Sequence, residues 1–136
     1  MQRRDFLLLS AAVTLAMPRA AQAGANYTPE LLKSELAAGK TVFLDFYATW
    51  CVTCAAQHRV MDALKADNPA YEQKISFLLV DWDTYQDGDL VKQLNIPRRS
   101  TLVVLKGDKE LGRIVADTAR DNIKALMDLA LQAATA

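Results

Sequence analysis

Apolar and polar positions change period several times along the chain, and each change marks an element. Thr28, Pro29 and Glu30 open a first helix with a capping hydroxyl, a proline suited to the first helical position and an acid near the positive dipole end. Leu31, Leu32 and Leu36 line one face, and Gly39 is placed to stop it. The period then collapses into a continuous run, TVFLDFY (41–47), rich in β-branched and aromatic side chains. Such a run predicts a central strand covered on both faces. A helix is expected from the cysteine pair at 51 and 54 to about Asn68-Pro69, with Val60, Met61 and Leu64 inward. ISFLLVDW (75–82) predicts a second strand, and a short helix follows near 87–94. TLVVL (101–105), a turn at KGDK and LGRIVA (111–116) form a hairpin. Ile123, Leu126, Met127, Ala130 and Leu131 return to helical spacing.

Strands joined through a helix run parallel by right-handed crossover, and the final hairpin adds an antiparallel edge. The pattern therefore predicts one mixed α/β domain, a four-stranded sheet flanked by helices. With 136 residues, 51% of them hydrophobic, the chain can bury a core of that size. The formal net charge is zero, so there is no electrostatic footprint for nucleic acid or an anionic membrane surface. A monomer with no nucleic-acid partner is expected.

Residues 1–23 change this picture. MQRRD is basic, FLLLSAAVTLAM is apolar over 12 residues, and PRAAQA ends in the small-residue pattern Ala21-x-Ala23 of a cleavage point. We expect an export signal removed after Ala23, leaving a single domain over 24–136. Arg3-Arg4-Asp5-Phe6-Leu7 resembles the twin-arginine export signature; an ordinary secretory leader with two arginines is the alternative. An uncleaved anchor is disfavoured, because the apolar run falls short of the eighteen or so residues that span a bilayer. Removing Arg3, Arg4, Arg19 and Asp5 takes the net charge to about −2. The expected destination is oxidising, a bacterial periplasm, where a dithiol can cycle through a disulfide.

The only two cysteines stand three apart in FLDFYATWCVTC (43–54), at the expected strand-to-helix junction. At a helix N-terminus, free N–H groups and the dipole favour a thiolate on Cys51, the candidate nucleophile. Cys54, one turn later, is the candidate resolving thiol that attacks the mixed disulfide. Asp45 faces the same side as Phe43 and Tyr47, in apolar surroundings that raise a carboxyl pKa. It is the candidate general base for the Cys54 proton, directly or through water.

With these residues in place, the chain resembles a thioredoxin-fold oxidoreductase over nearly all of 24–136. FLDFYATWCVTC is similar to the family's active-site segment, with acid, tryptophan and both cysteines at the family spacing. WCVTC is closer to the C-terminal thiol-transfer domain of DsbD-type disulfide-interchange proteins than to cytosolic thioredoxins. The resemblance implies a thioredoxin fold and a periplasmic reductase of disulfides in other exported proteins, with a membrane thiol donor as its possible source of electrons. It also implies that Trp50 shields the sulfurs, and that no cofactor is needed beyond a Cys51–Cys54 disulfide. Three departures stand out. Arg59 occupies the region where family helices carry a proline. Ser100 precedes Thr101 where the family has a cis-proline, with Pro97 the nearest proline; a cis bond before Ser100 would cost about 2.5–4 kcal/mol, so trans is expected. Arg98 and Arg99 set two positive charges in that loop, where they would stabilise the Cys51 thiolate or steer an acidic partner. Arg98, Arg99, Ser100 and Thr101 together are the candidate substrate groove.

Two other functions fit the same pair. CVTCAAQH has C-x2-C-x3-H spacing, so a Cu(I) carrier or a zinc shared between chains is an alternative, although a structural zinc needs four ligands and the chain has no other cysteine or histidine. A non-catalytic binding domain stapled by the disulfide is the other, although so short a loop removes little chain entropy.

Overall fold

The computed structural model describes residues 24–136, so the expected leader at 1–23 lies outside the described residues. The order is β1 (Ala25–Asn26), α1 (Pro29–Ala37), β2 (Thr41–Tyr47), α2 (Val52–Asp67), α3 (Ala70–Lys74), β3 (Ser76–Asp81), α4 (Trp82–Tyr85), α5 (Asp89–Leu94), β4 (Thr101–Lys106), β5 (Lys109–Val115) and α6 (Arg120–Thr135). They form one five-stranded sheet in the order β1-β3-β2-β4-β5. β3 runs parallel to β1 and β2, while β4 is antiparallel to β2 and β5. The fifth strand corrects the expected four. β1 has only two residues, too few to show any alternation, and joins the sheet through pairing with Leu78 and Leu79.

β2 is central and covered on both faces. Val42, Leu44 and Phe46 pack with Leu32, Leu90, Val91 and Ile96 on one side. Phe43 packs with Met61, Leu64, Ile123 and Met127 on the other. Phe43, Leu44 and Phe46 are fully buried, each contributing about 1.5–3 kcal/mol relative to exposure. Because side chains alternate, Asp45 projects with Phe43 toward the α2 side of the sheet.

The helix expected to run unbroken to Asn68-Pro69 ends there, and a short separate helix, α3, follows. Likewise the region after β3 holds two short helices, α4 and α5, rather than one. Asp81 caps α4, its carboxylate accepting from the Asp83 N–H at 3.0 Å. Among the described residues no helix is long and apolar enough to cross a membrane.

Candidate active site

The chain leaves β2 at Tyr47, passes Ala48-Thr49-Trp50 and enters α2 with Cys51 as its N-cap. Cys51 Sγ accepts a hydrogen bond from the Cys54 backbone N–H at 3.1 Å, so the sulfur occupies the place of a capping oxygen. Both cysteines are buried, packed with Ala48 and flanked by Tyr47 and Trp82. Their environments differ in sign. Burial raises the Cys51 thiol, but hydrogen bonds from Cys54, the Ser100 hydroxyl, the Cys54 N–H and Arg99 outweigh it and hold the pKa down at about 7. Burial pushes Cys54 up, and its hydrogen bond to Cys51 pushes it further. Of the two sulfurs, Cys51 therefore gives up its proton first and Cys54 keeps its proton longer.

The loop before β4 closes over the sulfurs. Ser100 Oγ lies 3.2 Å from Cys51 Sγ and 3.1 Å from Cys54 Sγ. The Ser100 N–H donates to Phe46 O at 2.6 Å, and its carbonyl accepts from Ala116 N at 2.8 Å and Gln57 Nε2 at 2.9 Å. Its φ is +64°, and every peptide bond among the described residues is trans. Proline has neither that N–H nor access to that φ, so this loop is built differently from one carrying proline before the threonine. Thr101, expected in the groove, is fully buried and donates to Arg98 O at 2.7 Å. It shapes the loop from beneath. Arg98 likewise turns back, its Nε donating to Arg99 O at 3.0 Å.

Arg99 and Trp50 form the outer edge. Trp50 is 57% exposed; its indole N–H donates to Asp83 Oδ2 at 2.9 Å, and the Arg99 guanidinium stacks 4.4 Å from its ring. Val52, between the cysteines, is 82% exposed. An exposed indole, an exposed valine and a cation thus surround two buried sulfurs.

Asp45 is buried, as its apolar neighbours predict, and its one side-chain partner is a residue of α2. It is 2% exposed, and its Oδ2 lies 2.6 Å from His58 Nε2, while Oδ1 has no hydrogen-bond partner among the described residues. Among those residues no hydrogen bond joins it to either sulfur. The Asp45 hydrogen bond raises the His58 pKa against the opposing effect of burial, with Asp62 adding to the rise. His58, weighed from the sequence as a metal ligand with the cysteines, is therefore turned to Asp45. Among the described residues no group of three or more His, Cys, Asp or Glu side chains converges.

Sequence reasoning overlooked Gln57. It is fully buried, and its amide also donates to Asp117 O at 3.1 Å, tying the serine loop to the segment after β5. Its signal was present: Cys54, Gln57, Met61 and Leu64 share the buried stripe of α2, and a polar residue on such a stripe needs partners.

The comparisons with known proteins agree with this geometry. The thioredoxin family model matches residues 21–129. The thioredoxin of Echinococcus granulosus is 29% identical over 86 residues, covering 63% of this chain and 75% of that protein. Staphylococcus aureus thioredoxin is 28% identical over 85 residues, covering 62% and 77%. The solved structure of Trxlp from Edwardsiella tarda matches with a TM-score of 0.65 and 26% identity, over 74% of this chain and 95% of that one. The chain belongs to the thioredoxin family, with its fold and its thiol–disulfide oxidoreductase activity.

Proposed function

We propose that this thioredoxin-family chain is an exported reductase of disulfides in other exported proteins, with Cys51 as nucleophile and Cys54 as resolving thiol. The observation that carries the reading is the opposed tuning of the two sulfurs, one held at about 7 and the other raised. The Cys51 thiolate attacks one sulfur of a partner disulfide; the partner's other sulfur leaves as a thiolate and takes a proton from solvent. Cys54 then attacks Cys51 Sγ, forming the Cys51–Cys54 disulfide and releasing the partner's second thiol. A dithiol donor must reduce the chain again, and the resemblance of WCVTC to DsbD-type domains favours a membrane-bound one. Trp50 and Val52 offer the partner apolar surface beside the sulfurs, and Arg99 offers a positive charge. Asp45 reaches neither sulfur by a hydrogen bond, so it acts on the proton balance at one remove, with His58 linking it to solvent.

Trapping tests the reading. Cys54→Ser should accumulate a mixed disulfide through Cys51, while Cys51→Ser should fold normally and show no exchange. A Cys51→Ser variant that still exchanges overturns the assignment. The reducing direction requires a potential nearer the roughly −270 mV of thioredoxin than the roughly −120 mV of a strong oxidase. Export is tested by fractionating cells: the expected product is periplasmic and begins at Gly24, and a cytoplasmic full-length chain overturns it.

A further inference from the structure

Ser100 Oγ lies 3.2 Å from Cys51 Sγ and 3.1 Å from Cys54 Sγ, so one hydroxyl is within hydrogen-bond distance of both reacting atoms. It has a single proton and can donate to only one sulfur at a time. The residue itself is fixed: it is fully buried, its N–H is held by Phe46 O, and its carbonyl by Ala116 N and Gln57 Nε2. A thiolate has no proton and can only accept, so the sulfur that carries charge decides where this donor is of use. In the dithiol that sulfur is Cys51, which gives up its proton first. Cys54 is raised by burial and then by Cys51 itself, through the hydrogen bond between the sulfurs and through charge. Both Cys51 contributions end when Cys51 is bonded to a partner, because a disulfide sulfur carries no charge and accepts weakly. Burial, the Ser100 hydroxyl and a backbone hydrogen bond at Ala48 then remain, and the last two favour the Cys54 thiolate. Tyr47 from β2 and Arg99 from the loop before β4 are the other ionisable groups against the pair among the described residues.

We propose that Ser100 is a catalytic residue of the resolving step, a single donor used in turn: its hydroxyl serves Cys51 in the dithiol and Cys54 once Cys51 is bonded to the partner. Cys54 loses its proton to solvent, and the Ser100 hydroxyl stabilises the thiolate that results. This thiolate attacks Cys51 Sγ; the Cys51–Cys54 bond forms and the bond from Cys51 to the partner breaks. The partner sulfur leaves in line, on the side of Cys51 away from Cys54 and beyond the hydroxyl, and takes its proton from solvent. Over the whole cycle two electrons pass from the dithiol to the partner disulfide, and Ser100 keeps its own proton throughout. Forming the mixed disulfide thus activates the second nucleophile, which stays protonated until there is a bond for it to attack. Proline in this place would have no hydroxyl to share.

The shared donor rests on the dithiol exchange proposed above, and the measurements separate the two. Ser100→Gly is the principal variant, because glycine accepts a φ of +64° and removes the hydroxyl. Ser100→Ala is its companion; thermal unfolding establishes that each is folded, and the glycine variant decides if alanine is strained. Iodoacetamide alkylation of the reduced full chain reads Cys51, whose midpoint should rise by about one pH unit on loss of a charge-assisted hydrogen bond. Single-turnover release of a small thiol from a preformed Cys51 mixed disulfide, followed against pH, reads Cys54. Its midpoint should also rise by about one unit. Thiolate nucleophilicity follows pKa with a slope of about 0.4–0.5, so raising the pKa gives fewer but more reactive thiolates. Ser100→Gly should therefore release the thiol about threefold more slowly below the midpoint and about threefold faster above it. A serine that only shaped the loop would slow release equally at every pH. Equal slowing at every pH, or a midpoint that moves for one sulfur alone or for neither, overturns the shared donor. Exchange surviving in Cys51→Ser overturns the dithiol reading itself.

Discussion

Ser100 and Asp45 are both buried polar groups beside the start of α2, yet they are buried on different terms. Ser100 has a partner for each polar atom: Phe46 O, Ala116 N, Gln57 and the two sulfurs. Asp45 has His58 on one oxygen and nothing among the described residues on the other. A buried group with every bond made is fixed in place, and replacing one of its partners strands the rest. A half-satisfied carboxylate is anchored through one contact, and that contact titrates. The serine side thus bears on the thiolate at Cys51, while the aspartate side bears on the proton held by His58.

The largest effect that separates the sides falls on Gln57. Gln57→Leu keeps the apolar volume of the α2 stripe but removes both amide donors, leaving Asp117 O without its partner and Ser100 O with Ala116 N alone. The expected loss is about 2 kcal/mol in denaturant unfolding. The Cys51 alkylation midpoint should also rise, because the hydroxyl is no longer held between the sulfurs. A destabilised variant with an unchanged midpoint would show that Ser100 keeps its place without the glutamine.

The aspartate side predicts a smaller effect with a definite sign. The His58 pKa is raised above its ordinary 6.5, first by the Asp45 hydrogen bond and against burial. The folded chain therefore binds this proton more tightly than the unfolded chain. The stabilisation is fully present below about 6.5 and is lost as pH rises through the raised folded value. The groups facing His58 are Asp45 and the Tyr47 ring from β2, with Asp62 and Lys65 on its own helix. Because a third of the imidazole side chain is exposed, His58→Gln should cost only about 1 kcal/mol at pH 6, with the difference from wild type shrinking toward pH 8. A pH-independent cost would mean the contact is packing and not charge.

How much of this could be read from the chain depends on the range of each interaction. The cysteine pair and the burial of Asp45 were legible because both follow from neighbours within a few residues: three-residue spacing at a helix start, and apolar side chains on either side of residue 45. The spacing from Cys54 to His58 was legible too, but its partner was not. Whether an imidazole one turn along α2 meets a sulfur or a carboxylate depends on how the helix sits across β2, which no local pattern encodes. Ser100 shows the same limit. Its presence before Thr101 marked a departure from the family, but the left-handed backbone that brings its hydroxyl to both sulfurs depends on distant partners, Phe46 and Gln57. The two-residue β1 was too short to leave any period at all.

The finest test returns to the serine side and asks whether charge or the hydroxyl holds the thiolate. Arg99 also lowers the Cys51 pKa, but its contribution ranks behind those of Cys54, Ser100 and the Cys54 N–H. Its guanidinium lies over the half-exposed indole of Trp50, where such stacking is worth about 0.5–1 kcal/mol. Its Nε is buried without a partner among the described residues, so the side chain is held by the stack more than by hydrogen bonds. Arg99→Gln should therefore raise the Cys51 alkylation midpoint by only a few tenths of a pH unit, well short of the shift in Ser100→Gly, and change Trp50 fluorescence. Arg99→Lys separates the two contributions, since it restores the charge without the flat plane. Recovery of the midpoint but not the fluorescence assigns the effect to charge, and recovery of neither assigns it to the stacked position. A shift in Arg99→Gln as large as in Ser100→Gly would place the thiolate under the arginine's control and leave the hydroxyl a bystander.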